Sequence, residues 1–252
     1  KNGVLLTLED FFGHRQYGIP SGRPLSEDYH SGDEVLVADG IHDATAKVLD
    51  VDDKARTVLI GPVATPPSGW KIAYDGPLAV LGAPARVIIA NPNGITCNGC
   101  AFLNTPQVQL TTGTPGFLDG GGNTVPFEQA SALSYQVSGG RIEFTGQGLA
   151  SILNRLDLIA ETLRADAPLN IGDGALNLIA GRQTVNAESL ARTAAPGNDR
   201  ATIGQDWAVD GTVLGAMNAG TIKIIATAAG MGVRADAALA ASSGDLVLAA
   251  NG

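Results

Sequence analysis

Five segments in the last two thirds of the chain share one pattern. They are Ala85-Arg86-Val87-Ile88-Ile89-Ala90, Leu156-Asp157-Leu158-Ile159-Ala160, Gly174-Ala175-Leu176-Asn177-Leu178-Ile179-Ala180, Gly220-Thr221-Ile222-Lys223-Ile224-Ile225-Ala226 and Gly244-Asp245-Leu246-Val247-Leu248-Ala249. Each reads aliphatic, any residue, aliphatic, and ends in small residues. Leu158 and Leu178 lie 20 residues apart, and Ile224 and Leu248 lie 24 apart. Repeats of about 20 residues match one coil of a parallel β-helix. Aliphatic residues at alternate positions would then face the coil interior and stack on the coil above. Weaker second strands follow several of the segments: Leu163-Arg164-Ala165, Val185-Asn186-Ala187 and Val233-Arg234-Ala235. The step of 46 residues from Leu178 to Ile224 must hold an extra coil or an excursion, and Ser189 to Asp206 is the expected excursion. One stretch competes. Gly148 to Arg164 carries apolar residues at helical spacing, so its centre, Leu156 to Ala160, is read as strand and a short helix is allowed over 148–155.

Composition agrees with a repetitive β architecture. Of 252 residues 33 are Gly, only 16% are charged and 5% are aromatic, and the apolar content is mostly Ala, Val, Ile and Leu. A net charge of −9 argues against nucleic acid or an anionic membrane as partner, since both need a basic surface. No run approaches the roughly 18–20 apolar residues of a membrane span. No secretory signal is visible at Lys1, so the chain reads as a mature product, a trimmed piece or a cytoplasmic protein.

Composition shifts near Tyr74-Asp75-Gly76-Pro77, where a domain boundary is expected. Residues 1–76 hold all three histidines and read as an N-terminal β module with an extended arm. Strands are expected at Gly32–Val37, Ala44–Val51, Arg56–Ile60 and Trp70–Tyr74, joined by polar turns. Over about 30–76 these suggest a small antiparallel β-barrel or sandwich. The first 30 residues show no period and read as an arm that packs on a neighbour. The fold class expected is therefore all-β, with a parallel β-helix over 77–252 behind a small antiparallel module.

Between the strands Val87–Ala90 and Val108–Thr112 lies Asn91-Pro92-Asn93-Gly94-Ile95-Thr96-Cys97-Asn98-Gly99-Cys100-Ala101-Phe102-Leu103-Asn104-Thr105. Asn and Gly tolerate positive φ and Pro fixes φ near −65°, so the run suits tight corners. Asn91, Asn93, Asn98 and Asn104 are expected to hydrogen-bond free backbone groups of those corners. Cys97 and Cys100 are the only cysteines. Two cysteines cannot make a zinc site unaided. A disulfide that pins the corner and a buried free pair both fit the spacing, whereas nothing around them reads as a thioredoxin-type unit.

No catalytic constellation is present. There is no G-x-S-x-G elbow, P-loop or H-E-x-x-H, and no histidine follows His42. Asp157, Glu161, Asp173 and Asp245 could serve a carboxylate-based glycan reaction, but they read as solvent-facing or corner residues of separate coils. His14, His30 and His42, with Asp28, Asp33 or Asp43, lack metal-ligand spacing. Asp50, Asp52 and Asp53 read as a hairpin turn rather than a calcium loop. Gly120-Gly121-Gly122-Asn123 reads as a loop tip. No cofactor is expected.

The order NPNG, CNGC, F-x-N-T and L-T-T-G-x-P over Asn91 to Pro115 resembles the secretion domain of filamentous haemagglutinin-like exoproteins, the passengers of two-partner secretion. The resemblance covers residues 77–252. It implies a right-handed β-helix at the start of a large secreted or cell-surface exoprotein, without enzymatic activity. The POTRA domains of an outer-membrane transporter would recognise it, and complete proteins of this kind act as adhesins, haemolysins or toxin carriers. Asn91, Pro92, Asn93, Gly94 and Asn104 are the expected partner-recognition or corner residues. A host receptor or glycan is a further expected partner, and residues 1–76 could mediate homo-oligomerisation. The alternative is a structural or receptor-binding β-helix subunit of a multi-subunit particle such as a phage tail fibre or spike.

Overall fold

The structure is a computed structural model. It describes residues 72–120, 123–125, 129–212 and 215–251, together with the backbone of four strands nearer the start. The chain forms two compact units, Lys1–Trp70 and Lys71–Gly252.

In the first unit, β1 (Arg15–Gly18), β2 (Glu34–Ala38), β3 (Asp43–Asp52) and β4 (Thr57–Ile60) form one four-stranded sheet in the order β1-β4-β3-β2. All its pairings are antiparallel. Within the stretch expected to be an arm, β1 is thus a paired strand. His14, His30, His42, Asp28 and Asp33 lie outside the described residues, as do Asp53, Gly121 and Gly122.

The second unit is a parallel β-helix. β5 (Ile72–Ala79) pairs parallel with β7 (Ile95–Leu103). The strand expected at Trp70–Tyr74 therefore opens the β-helix instead of closing the antiparallel module, and it runs across the expected boundary at Gly76–Pro77. β6 (Val87–Ala90), β8 (Gln107–Thr111), β12 (Arg155–Ala160), β15 (Ala175–Ala180), β20 (Thr221–Ala226) and β23 (Leu246–Ala250) build one six-stranded parallel sheet, the first face. Its register pairs Ile89 with Leu110, then Leu158, Leu178, Ile224 and Leu248. Steps of 20, 24 and 46 residues thus each equal one rung. The long step holds an excursion and no extra coil.

The other two faces share a nine-stranded sheet. β7 and β11 (Arg141–Ala150) each bend across both faces. Later coils split the same path into two strands: β13 (Thr162–Ala165) and β14 (Leu169–Asn170), β18 (Trp207–Gly211) and β19 (Met217–Ala219), then β21 (Gly232–Ala235) and β22 (Leu239–Ala241). Where β13 follows β12 directly, the turn is a single residue, Glu161. β11 ends at Ala150 and no helix forms over 148–155. Leu149, Leu153 and Leu156 are all buried because successive faces of one coil point them at a common axis, which imitates helical spacing.

Two excursions leave the coil between the first and second faces. One holds β9 (Thr114–Leu118) and β10 (Ala132–Val137). The other holds β16 (Gln183–Asn186), β17 (Arg192–Ala194) and the short helix α1 (Arg200–Ile203). Their strands form an antiparallel sheet, β17-β16-β10-β9. Val185–Ala187 is therefore no rung of the β-helix: it begins inside this sheet, and the second excursion starts before Ser189. Tyr135, Val137, Gln183 and Val185 on this sheet and Ile159, Ile179 and Ile225 on the outer side of the first face are all buried. The antiparallel sheet thus roofs part of the first face and makes a second apolar layer there, while β23 at the far end of the same face is exposed throughout.

Candidate recognition site

The Asn91–Gly94 run joins the first and second faces in a turn whose chemistry matches its residues. Asn at the first position, Pro at the second and Gly at the fourth suit a type I turn. The Asn91 carbonyl accepts the Gly94 N–H at 3.0 Å, and its side-chain Oδ1 accepts the Asn93 N–H at 3.1 Å. The Asn91 N–H donates to the Thr111 carbonyl of the next coil at 2.9 Å. Gly94 has φ of +127° and is buried, while Pro92 and Asn93 are exposed. The next coil passes so close that a Cβ on Gly140 would collide with the Pro92 carbonyl.

At the corner between the second and third faces, β7 bends at Asn98-Gly99, where Gly99 has φ of +71°. Cys97 and Cys100 flank the bend, are both buried, and are joined by a disulfide. Asn98 Oδ1 accepts the Gln147 N–H at 3.3 Å from the neighbouring coil.

Asn104 closes the corner between the third and first faces. It adopts the left-handed conformation, φ +57°, which Asn tolerates better than other side chains. Its Nδ2 donates to the carbonyls of Val80 and Gly82, both at 2.9 Å. Asn91 to Gly94 and Asn104 therefore sit at different corners of one coil and do not converge on one pocket. The Asn98 and Asn104 side chains each tie one coil to the next, whereas that of Asn91 closes its own turn. Asx-type turns and caps of this kind stiffen corners.

A second cluster was not apparent from the sequence. Gln109, Asp157, Asn177 and Lys223 occupy one outward row of the first face by register. The sequence places such a row in solvent, but Asp157 is 0% exposed and Gln109 equally so. The Asp157 carboxylate accepts from Gln109 Nε2 at 2.8 Å, Asn177 Nδ2 at 2.8 Å and Arg155 Nε at 2.9 Å. Tyr135 Oη, from the roof, donates to Gln109 Oε1 at 2.7 Å, and Gln109 Nε2 also reaches the Ala187 carbonyl at 2.6 Å. Arg155 bonds the Glu188 carbonyl at 3.1 Å, and Arg86 pairs with the Glu188 carboxylate. Burial pushes the Tyr135 phenol well above its ordinary range. This network fastens the roof. The signal available in the sequence was the polar residue set between two aliphatics in VQL, LDL and LNL; only the roof reveals that it is buried.

Glu161 pairs with Arg182 at 2.6 Å, and Asp173 accepts from Ser242 Oγ at 3.2 Å. Asp157 and Glu161 lie on one coil, on the first face and at its corner, and Asp173 and Asp245 precede β15 and β23 on others. Among the described residues, no group of three or more His, Cys, Asp or Glu side chains is placed to hold a metal ion.

The family model of the TPS secretion domain matches residues 68–252. The chain belongs to this family. This TPS domain is 37% identical over 181 residues to a protein named Toxin CdiA from Yersinia pestis, covering 71% of the chain and 5% of that protein. It is 30% identical over 248 residues to a tRNA nuclease CdiA of Escherichia coli strain STEC_O31, covering 92% of the chain and 7% of that protein. An alignment of that reach takes in part of the first unit as well. The crystal structure of a filamentous hemagglutinin secretion domain superposes with a TM-score of 0.56 at 22% identity, covering 73% of this chain and 70% of that one. That likeness shows the fold. The TPS domain spans only 5–7% of the length of these curated relatives, and the toxin and tRNA nuclease of their names describe those whole proteins. A TPS secretion domain is part of a secreted or cell-surface exoprotein.

Proposed function

We propose that this TPS domain is a non-enzymatic export module, recognised by the periplasmic POTRA domains of an outer-membrane transporter. The observation that carries this reading is the coincidence of the family match with the Asn91–Asn104 coil. That coil lies near the first rung of the β-helix, and its corners are tied to neighbouring coils by the Asn91 backbone and by the side chains of Asn98 and Asn104. A stiff, pre-formed surface loses little entropy when a partner docks. Regularly spaced strands with open edges also permit pairing with a partner's sheet.

Within this reading Asn91, Pro92, Asn93 and Gly94 present one corner, Asn104 shapes another, and the Cys97–Cys100 bond straps the bend between them. The experiment is an export assay of the exoprotein with Asn91→Ala and Asn93→Ala. Asn91→Ala is expected to lower both secretion and the melting temperature of the isolated domain, because it removes a turn bond. Asn93→Ala, whose side chain is exposed, should lower secretion alone. Normal secretion with unchanged melting in both variants would refute the assignment. The adhesive or toxic activity of the whole exoprotein, and any receptor or glycan it meets, would reside in parts beyond this domain.

A further inference from the structure

Cys97 and Cys100 are the only cysteines of the chain, and they are joined to each other. Their bond lies inside the stack. Cys97 is 0% exposed and Cys100 is 3% exposed. On one side the register places Tyr74 of β5 beside Cys97. On the other, β11 places Phe144 beside Cys97 and Leu149 beside Cys100, and both of those side chains are buried. The Cys97 sulfur lies 3.6 Å from the Gly148 carbonyl oxygen of the same coil. Of the two residues that the bond encloses, Asn98 is exposed and Gly99 half-buried.

The coil of β11 is pressed tightly over this bend. Gly146 has φ of +56°, and a Cβ on it would collide with Asn98 Oδ1, the same oxygen that accepts the Gln147 N–H. Thiol–disulfide exchange proceeds by attack of a thiolate on a sulfur, through a mixed disulfide, and its rate depends on access. A sulfur wedged between two packed coils offers a thiolate no approach, and buried cysteines are inert for that reason. The chain holds no third cysteine that could act from within. Exchange at this pair therefore requires an external reagent and a coil that is open.

We infer that the Cys97–Cys100 pair is the substrate of an external disulfide-bearing oxidant that acts before β11 packs on β7, and that packing then seals the bond against thiols. Closing the bond removes two electrons and two protons from the pair. One cysteine thiolate attacks the oxidant's disulfide, which gives a mixed disulfide and releases one thiolate of the oxidant. The second cysteine thiolate then displaces the oxidant, which leaves as a dithiol. A secreted or cell-surface exoprotein meets compartments in which such oxidants work and disulfides persist. Gly146 is the positioning residue of the seal, because only a residue without a side chain lets the next coil close over Asn98. The inference stands on burial and register and does not depend on the export reading.

The test follows reduction of the folded 252-residue chain by dithiothreitol, stopped at intervals by alkylation and read by mass spectrometry. Reduction in buffer should be slower by about a hundredfold or more than in denaturant. Gly146→Ala should speed it about tenfold by prying the coil from the bend. Asn98→Ala, a milder change that loses only the bond to Gln147, should speed it less and serves if Gly146→Ala does not fold. Gly230→Ala carries a similar left-handed strain, φ +73°, far along the stack, and should leave the rate unchanged. In the reverse direction, a chain reduced in denaturant and refolded should be closed slowly by oxidised glutathione and quickly once denatured. A reduced chain that does not refold would support the same order of events, since its thiols would exist only in the open state. Reduction or closure as fast in the folded chain as in denaturant would overturn the inference, as would equal acceleration by Gly230→Ala.

Discussion

Single residues set the corners and line the roof, and three of them can be probed directly. Asn104 combines a left-handed backbone with two side-chain bonds. Asn104→Ala should cost about 1–3 kcal/mol by denaturant unfolding, whereas Asn104→Gly, which keeps the conformation, should cost less. Gln183 is the opposite case. It is fully buried, and neither polar atom of its side chain has a hydrogen-bond partner among the described residues. An apolar side chain of similar volume removes that penalty, so Gln183→Leu should raise stability by about 1–3 kcal/mol. Unchanged or lowered unfolding midpoints would count against it. Tyr135 adds a pH dependence. Its phenol ionises at an ordinary 10.0 in the unfolded chain and higher in the folded one. The folded state therefore binds the proton more tightly, and stability must fall as pH rises past about 10. Tyr135→Phe should flatten that alkaline decline while losing the bond to Gln109, which a pH series of thermal melts would reveal.

At the scale of elements, the decisive contact is between the roof and the first face. Asp157 is a buried carboxylate with three side-chain donors, and removing it strands Arg155, Gln109 and Asn177 together. Asp157→Ala should destabilise the domain by about 3–5 kcal/mol. Hydrogen exchange should quicken first in β10 and β16, which have no place in the coils, and later in β12 and β15. Uniform exchange in all four strands would mean that the roof is not a separate cooperative unit. The strands themselves were legible. Adjacent aliphatics in Leu158-Ile159, Leu178-Ile179 and Ile224-Ile225 are what a parallel strand buried on both sides requires, although the sequence did not tell what lies over the outer side. The competing helix over 148–164 illustrates the opposite hazard: inward residues from consecutive faces fall at helical intervals without any helix.

For the whole molecule, stability is spread along a stack in which each coil contacts its neighbours. The Cys97–Cys100 bond closes a loop with a sequence separation of 3, so its chain-entropy contribution is about 2 kcal/mol. Cys97→Ala with Cys100→Ala should lower stability by that order and leave a folded β-helix by circular dichroism; global unfolding would show that the strap is required for the stack to form.

The coil itself, its rung spacing and the chemistry of its corners were written in local pattern: alternation sets which side chains face inward, and Asn, Pro and Gly set where the chain turns. Both are short-range properties, so the sequence alone determined them, and with them the family. Three things needed the tertiary structure. Strand Ile72–Ala79 joined the β-helix because pairing with β7 outweighed a composition shift. The two excursions found each other across the chain from Thr114 to Ala194 and became a roof. That roof buried Gln109 and Asp157 of a row that looks solvated, while Lys223 of the same row stays exposed. Burial depends on what covers a surface, and that cover comes from residues far away in sequence.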